Sequence, residues 1–426
     1  MTQFTVAYSC HDTFPSAAAN TQQIFWTTHE VAQRGAAIDL FVPASGLSAA
    51  GSAETREHVA NYYGLPLSAL APSLTIHPVP SSRRADGEAT VNPGWVTHGR
   101  FDWRLPRSLR TGRYDLIWTR DPFAAAVSVR AGLPTIFETY RTDFATRARF
   151  AMWRAATLPS RSLAGVVLHS RLACDAYIRA GVPADRCLVA YNGFVEAHAH
   201  PPLTRGDARQ RLGLPADAPL VVYTGACGRR KGVDAIVQLA ARVPSAQFVI
   251  VGVNAGSEEG RDLTRAAVEH SAHNLVLRDR VSSREVWPYL FAADCLLVPP
   301  TSAPQRQYRR TGLPIKLFGY LAAGRPILAP RLEDIEEVLT DGVTARLVPP
   351  DDSGAAAAAL TTLLGDAALC ARLGSAAQQT SRAFTWSARG GLVYDFLQTV
   401  VARRRGTIPA YEARASAIAA TESSRR

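Results

Sequence analysis

With 426 residues, 47% of them apolar and 19% charged, the chain can bury cores for two domains of ordinary size, which excludes wholesale disorder. The formal net charge is +11, and no apolar run approaches the roughly 20 residues that span a bilayer, so the chain does not read as membrane-spanning. Its start, "MTQFTVAYSC", lacks a basic leader region and reads as a first strand, and six scattered cysteines without a Cys-x-x-Cys pair suit reduced thiols in the cytoplasm, not a disulfide framework or a zinc site.

In chain order, short β-branched runs alternate with longer Ala/Leu/Arg segments. "FTVAYSC" predicts a strand. "NTQQIFWTTHEVAQRG" predicts a helix, with Ile24, Thr27, Thr28 and Val31 on one stripe and Gly35 after its end. "AAIDLFVP", "YDLIWTR", "PTIFETY" and "GVVLHS" predict further strands, and "RLACDAYIRAGVP" a helix closed by Gly181 and Pro183. "CLVAYNGF" then runs into a Pro- and Gly-rich linker with one short helix. The alternation restarts with strand "LVVYTG", helix "GVDAIVQLAARVP" and strands "AQFVIVGVN" and "NLVLRDRV". It continues with helix "SSREVWPYLFAAD", capped by Ser282 or Ser283, strand "CLLVPP", helix "PIKLFGYLAAG" and strand "RPILAP". "LEDIEEVLTDG" predicts a helix, "ARLVPP" a strand, and the segments from Asp352 onward helices. Two such alternations joined by a linker predict an α/β protein of two Rossmann-like domains, residues 1–196 and 197–388. A helix over 389–405 and a disordered tail over 406–426 complete it. A cleft between two such domains is a common substrate site.

Two stretches interleave arginines with aromatics: "RFDWRLPRSLRTGR" (100–113) and "RTDFATRARFAMWRAATLPSR" (141–161). The ordinary reading is a solvated basic face whose aromatics point into the core. The functional reading is contact with an anionic membrane surface, with the protein peripheral at the inner face. Nucleic acid is not expected as a partner, because no recognition motif accompanies the charge.

The chain has only two lysines, Lys231 and Lys316, and every other basic residue is arginine. Lysine is a compact, flexible point charge where arginine is a rigid fork, so a site needing the first will not accept the second. Lys231 ends the loop of "YTGACGRRKGVD" beside Arg229 and Arg230, at the carboxyl edge of a strand and the start of a helix. Glycines such as Gly225 let the backbone approach a ligand, and three cations there imply phosphate or diphosphate. The bland alternative is a loop of exposed arginines that binds nothing. Lys316 follows Thr311, Gly312, Leu313, Pro314 and Ile315, whose amides lie before another helix at the same sheet edge.

On these segments the chain resembles the retaining glycosyltransferases of family 4, the glycosyl transferases group 1, whose GT-B fold sets two Rossmann-like domains face to face. "HDTFPSAAANTQQIFWTTHEVAQRG" is similar to the family's opening strand, loop and helix, and "YTGACGRRKGVD" to its G-x5-KG motif. "LPIKLFGYLAAGRPILAP", "EEVLTDGVTARLVPPDD" and "FTWSARGGLVYDFL" follow in the family's order. The resemblance implies a nucleotide-sugar donor held by the second domain and a glycan or glycolipid acceptor. It puts Lys231, with Arg229 or Arg230, on the donor diphosphate, and the amides of Gly312 to Ile315 on the distal phosphate. Arg280 and Val281 would lie near the base, while Ala18, Ala19 and Asn20 would face the transferred sugar.

Retention of configuration, catalysis by positive charge at the departing diphosphate, and no metal or other cofactor are implied as well. The sequence departs from the family at four places. The arginine after Gly225 is Ala226, the motif glutamates are Thr311 and Gly319, the first-domain histidine is Tyr140, and a glycine pair is Ala18–Ala19. These departures open a second reading, a GT-B protein with little or no turnover that binds nucleotide sugars or serves as a partner subunit.

Overall fold

The computed structural model of the chain describes residues 4–43, 47, 52–79, 114–227, 231–308 and 313–406. The stretch 100–113, the tail beyond 406, and Arg229, Arg230, Thr311 and Gly312 lie outside them.

Two sheets organise the described residues. The first comprises β1 (Thr5–Ser9), β2 (Ala37–Pro43), β3 (Leu74–Val79), β4 (Leu116–Thr119), β5 (Thr135–Thr139), β6 (Leu163–Leu168) and β7 (Cys187–Val189), in the order β3-β2-β1-β4-β5-β6-β7. The second comprises β8 (Leu220–Thr224), β9 (Gln247–Val251), β10 (Leu275–Arg278), β11 (Cys295–Leu297), β12 (Ile327–Pro330) and β13 (Arg346–Val348), in the order β10-β9-β8-β11-β12-β13. All ladder pairings are parallel. Helices cover such sheets on both faces, which is why "LIWT" and "LVVYT" are buried throughout instead of alternating. In each sheet the order reverses at one place, between β1 and β4 and between β8 and β11. The crevice at the carboxyl ends of those strands is where such sheets take ligands.

Several expectations need correction. The helix Ala19–Gln33 is buried on nearly every side, not on one stripe. The sheet covers one face, and the last helix, Trp386–Arg404, covers another, adding Trp386, Val393 and Leu397 to the first core. The helix Ala53–Tyr62, β3 and the helix Pro122–Arg130 were not expected. β3 carries Pro78, which an edge strand tolerates and a central one does not. Of "LEDIEEVLTDG" only Glu333–Glu336 is helical, and the chain turns again at Gly342, which has φ +71°. The helix expected to be capped by Ser282 or Ser283 is Val286–Ala292 with Glu285 at its N-cap; Ser282 lies three residues earlier, where its Oγ accepts from the Glu285 amide (3.3 Å) and the Glu285 carboxylate accepts from the Ser282 amide (3.0 Å). In the stretch 141–161, Phe144 is buried, and Phe150 and Trp153 pack against the same core, as the ordinary reading holds. Met152 alone stands out, 85% exposed.

The chain passes between the domains twice, and the two passages touch. The Phe194 amide donates to Phe384 O (3.2 Å), and the Trp386 amide donates to Phe194 O (3.2 Å). Gly193 makes this possible. A Cβ there would lie 2.5 Å from the Thr385 carbonyl carbon, closer than any side chain allows.

Candidate active site

On the second domain the site grows from the end of β8. Tyr223 is buried there, and its hydroxyl donates to Ala226 O (2.8 Å), tying down the turn that follows. The Lys316 Nζ rests 3.5 Å from the centroid of the Tyr223 ring. Gly225 makes room for it, since a Cβ on Gly225 would sit 2.7 Å from that Nζ, and its φ of +130° is one that side chains avoid. Lys316 opens the helix Lys316–Ala322, and Tyr320 of the same helix accepts from the Thr224 amide at its hydroxyl (2.8 Å), locking helix to strand. Burial lowers the Lys316 ammonium well below the ordinary lysine range; the Lys231 charge lowers it further, against an opposing effect of Cys227. The charge of one lysine of the chain thus acts on the other. No carboxylate is paired with Lys316 among the described residues.

The other expected donor-side residues surround this point unevenly. Leu313 is half-buried against the second-domain core, while Ile315 packs against the first-domain core. Val281 is half-buried and Arg280 exposed. Burial raises the Tyr62 phenol of the first domain, and the Arg280 charge of the second opposes that rise. Gly319 has open space: a Cβ there would meet only Leu290 Cδ1, at 3.7 Å.

On the first domain Ala18 and Ala19 are exposed at the start of the helix Ala19–Gln33, and Asn20 is half-buried. Arg120, at the end of β4, donates to Asn20 O (3.4 Å) and to Gln23 Oε1, and its guanidinium lies 6.0 Å from the Tyr140 ring centroid. Arg120 thus joins two features that the sequence presented separately. Beneath them lies Glu138, wholly buried. It accepts from Tyr8 Oη (3.3 Å), Gln23 Nε2 (2.5 Å), His169 Nε2 (3.2 Å) and Arg389 Nη2 (2.6 Å).

Burial alone would raise the Glu138 carboxyl, but the bond from His169 and the Arg389 and Arg120 charges hold it at about 2. Burial, with the same two arginines, pushes His169 down to about 4, so at neutral pH it is an uncharged donor. Arg389 comes from the crossing helix and also donates from Nε to Thr27 Oγ1 (2.9 Å) and from Nη1 to Ala190 O and Tyr191 O (3.0 Å to the latter). A second histidine–carboxylate pair, His11 Nδ1 and Asp121 Oδ2 at 3.1 Å, lies at the β1/β4 switch point.

The domains also meet through Glu337, whose carboxylate accepts from the Arg171 and Leu172 amides (2.6 and 2.8 Å) and from Tyr191 Oη (2.8 Å). The carboxylate thus caps the helix Arg171–Arg179 of the opposite domain. His198 of "EAHAH" sits edge-on to Trp26, with ring centroids 6.4 Å apart. Among the described residues no group of three or more His, Cys, Asp or Glu has the arrangement of a metal site.

Residues 218–366 match the family model described as "Glycosyl transferases group 1". Over 351 residues the chain is 25% identical to phosphatidyl-myo-inositol mannosyltransferase of Mycolicibacterium smegmatis, covering 79% of this chain and 86% of that protein. The second domain is thus similar to the group 1 glycosyltransferases. Solved structures agree on the GT-B fold. The sucrose-phosphate synthase of Thermosynechococcus elongatus superposes with a TM-score of 0.74 at 19% identity, covering 94% of this chain and all of that one. Anabaena HepE in complex with UDP and glucose gives 0.67 at 16% identity, over 93% and 100%.

Of the departures read from the sequence, the structure shows open space at Gly319. Sequence reasoning missed Arg120, Glu138, His169 and Arg389 altogether. A signal existed for Glu138, a carboxylate inside the apolar strand "PTIFETY", since such a residue is tolerated only with buried partners. Its partners come from β1, the helix Ala19–Gln33, the residue after β6 and the helix Trp386–Arg404, and carry no local mark.

Proposed function

We propose that this chain is a group 1 glycosyltransferase that moves a sugar from a nucleotide-sugar donor to a glycan or glycolipid acceptor with retention of configuration. The observation that carries the reading is Lys316 at the β8/β11 switch point, its Nζ seated on the Tyr223 ring and under the charge of Lys231, without a carboxylate paired to it among the described residues. Like charges repel, and a diphosphate relieves that repulsion. Lys231, with Arg229 or Arg230, takes the donor diphosphate, and the backbone over Gly312 to Ile315 takes its distal phosphate. Arg280 and Val281 border the base. Ala18 to Asn20 and Tyr140, on the facing domain, border the sugar.

Cleavage of the sugar–phosphate bond leaves negative charge on the diphosphate, where the cations are already in place, and the leaving oxygen takes the acceptor proton. Neutralisation by cations makes no demand for a metal. The titanic desolvation of a bare diphosphate is avoided because the cations replace its water. HepE, of the same fold, is known bound to UDP and glucose, which supports a uridine donor among the candidates.

The test is calorimetric titration of the full chain with UDP, GDP and ADP, beside Lys231→Ala. Saturable binding of one nucleotide, at least tenfold weaker in the variant, is expected from the loss of a charge-assisted contact of about 1.5–3 kcal/mol. Absence of binding to all three would defeat the reading. One observation favours a second reading, a nucleotide-sugar-binding partner subunit: Gly319 offers no carboxylate to a ribose. Tight binding with no turnover would select it.

A further inference from the structure

Of the chain's six cysteines, four turn their thiols to the backbone. Cys10 and Cys295 donate to Asp12 O and Leu296 O, Cys227 to Gly225 O (3.2 Å) and Cys370 to Leu363 O (2.8 Å). Cys174 and Cys187 differ: the Cys187 S–H donates to the Cys174 sulfur. We propose that these two residues form a dithiol site, which a hydroperoxide closes to a disulfide and a small thiol reopens.

No spacing in the sequence marks the pair, because the fold assembles it. After β6 the helix Arg171–Arg179 folds back and packs on β6 and β7. Cys174, in the first turn of that helix, joins Ala173 and Tyr177 in the core beneath it. Cys187 opens β7 opposite Val166 of β6 and packs against the same core. β7 is an edge strand, so Cys187 is only half-buried and a small reagent can reach it, while Cys174 is 8% exposed.

A thiolate is the reacting form, and a helix N-terminus favours one. The bond from Cys187 lowers the Cys174 thiol, against burial and the charges of Asp175 and Glu337. That same bond, with burial, raises Cys187. Burial raises the other four, Cys227 to about 11. The Cys174 thiolate therefore attacks the hydroperoxide. An S–O bond forms, the O–O bond breaks, and the leaving oxygen takes the proton that Cys174 gave up, so Cys174 becomes a sulfenic acid. The Cys187 sulfur then attacks the Cys174 sulfur. The S–S bond forms, the S–O bond breaks, and water leaves with the Cys187 proton. The peroxide gains the two electrons that the two thiols lose. Two molecules of a small thiol reverse the closure and end as a disulfide themselves.

The pair lies close to the domain junction. The Arg171 and Leu172 amides of the same helix hold Glu337 of the second domain, and β7 runs on to the passage at Gly193. A disulfide here ties the helix that receives the second domain to the strand that leads toward it.

The test exposes the reduced, folded full chain to hydrogen peroxide. The reaction is quenched, free thiols are alkylated in denaturant, and a tryptic digest is mapped by mass spectrometry. Trypsin releases Leu172–Arg179 and Cys187–Arg205, so the expected product is these two peptides joined, with two hydrogens lost and the other four cysteines alkylated. Dithiothreitol before alkylation should restore all six thiols. Cys174→Ser and Cys187→Ser should both lack the product, and Cys187→Ser should instead accumulate a sulfenic acid at Cys174 that dimedone traps.

Six alkylated thiols after peroxide, or a linkage through any other cysteine, overturns the inference. So does a Cys174–Cys187 product that forms only once the chain is denatured, or oxidation of Cys174 to a sulfinic acid without linkage. The wild-type map decides the question even where a serine variant fails to fold. None of these outcomes bears on the donor reading, which shares no residue with this pair.

Discussion

At the scale of single residues, the contrast between Lys231 and Arg120 is instructive. Lys231 was legible because its signal is local: a strand end, glycines and a change of basic residue within a dozen positions. Arg120 was not. It looks like one arginine among many, and only the fold sets its guanidinium between the Asn20 carbonyl and the Tyr140 ring. On the proposed function, Arg120 positions the first-domain face of the cleft through Asn20, on the opposite domain from the lysines. Arg120→Met is therefore expected to lower kcat by about tenfold or more, as misplacement of a substrate-facing loop does, with nucleotide affinity nearly unchanged. Calorimetry and initial-rate kinetics on the same preparation separate the two. A matching loss of affinity would show that Arg120 acts on the donor and not on the loop.

At the scale of elements, β5 and the crossing helix are joined by a buried charge. Arg389 and Glu138 are 251 positions apart in sequence, so no window over the chain could have paired them. Each looks like an error in its own apolar context, and only together do they make sense. The pair also sets a pH response. His169 is held at about 4, below its ordinary value near 6.5, so between those values the unfolded chain holds a proton that the native state refuses. Stability is then lost as pH falls from about 6.5 toward 4. Glu138, held at about 2 against an ordinary value near 4.5, extends the loss below pH 4.5. Thermal unfolding of the wild type should therefore show a falling Tm across both windows. In His169→Gln, which can still donate to Glu138, the slope between pH 6.5 and 4.5 should flatten, while the limb below pH 4.5 stays. Equal slopes in the two proteins would place the acid response elsewhere.

At the scale of the whole molecule, the GT-B architecture was legible because two β/α alternations and a Pro-rich join are periodic features that need no long-range knowledge. What escaped was how the halves meet: the paired passages at Gly193 and Thr385, and Glu337 capping a helix of the other domain. Those contacts depend on which surfaces face, and sequence does not encode that locally. The excess of positive charge, +11 over the chain, is likewise a property of the whole, and it bears on where the acceptor is met. The aromatics of 141–161 are spent on the core, so a membrane contact there must rest on charge, with Met152 the one large apolar side chain presented. Arg141 and Arg149 both pair with Asp143, which halves what they offer an anionic surface.

Attraction built this way is shallow and salt-sensitive, at about 1 kcal/mol per basic residue near an anionic leaflet and screened within a Debye length of about 8 Å at physiological salt. The full chain is therefore expected to sediment with vesicles containing anionic lipid at low salt, not with neutral vesicles, and to be released by about 0.5 M salt. No single helix among the described residues is long and apolar enough to cross a membrane, so salt-resistant binding to neutral vesicles would contradict this account. Equal sedimentation with both lipids would remove the membrane from the reading, and the acceptor would then be sought in solution.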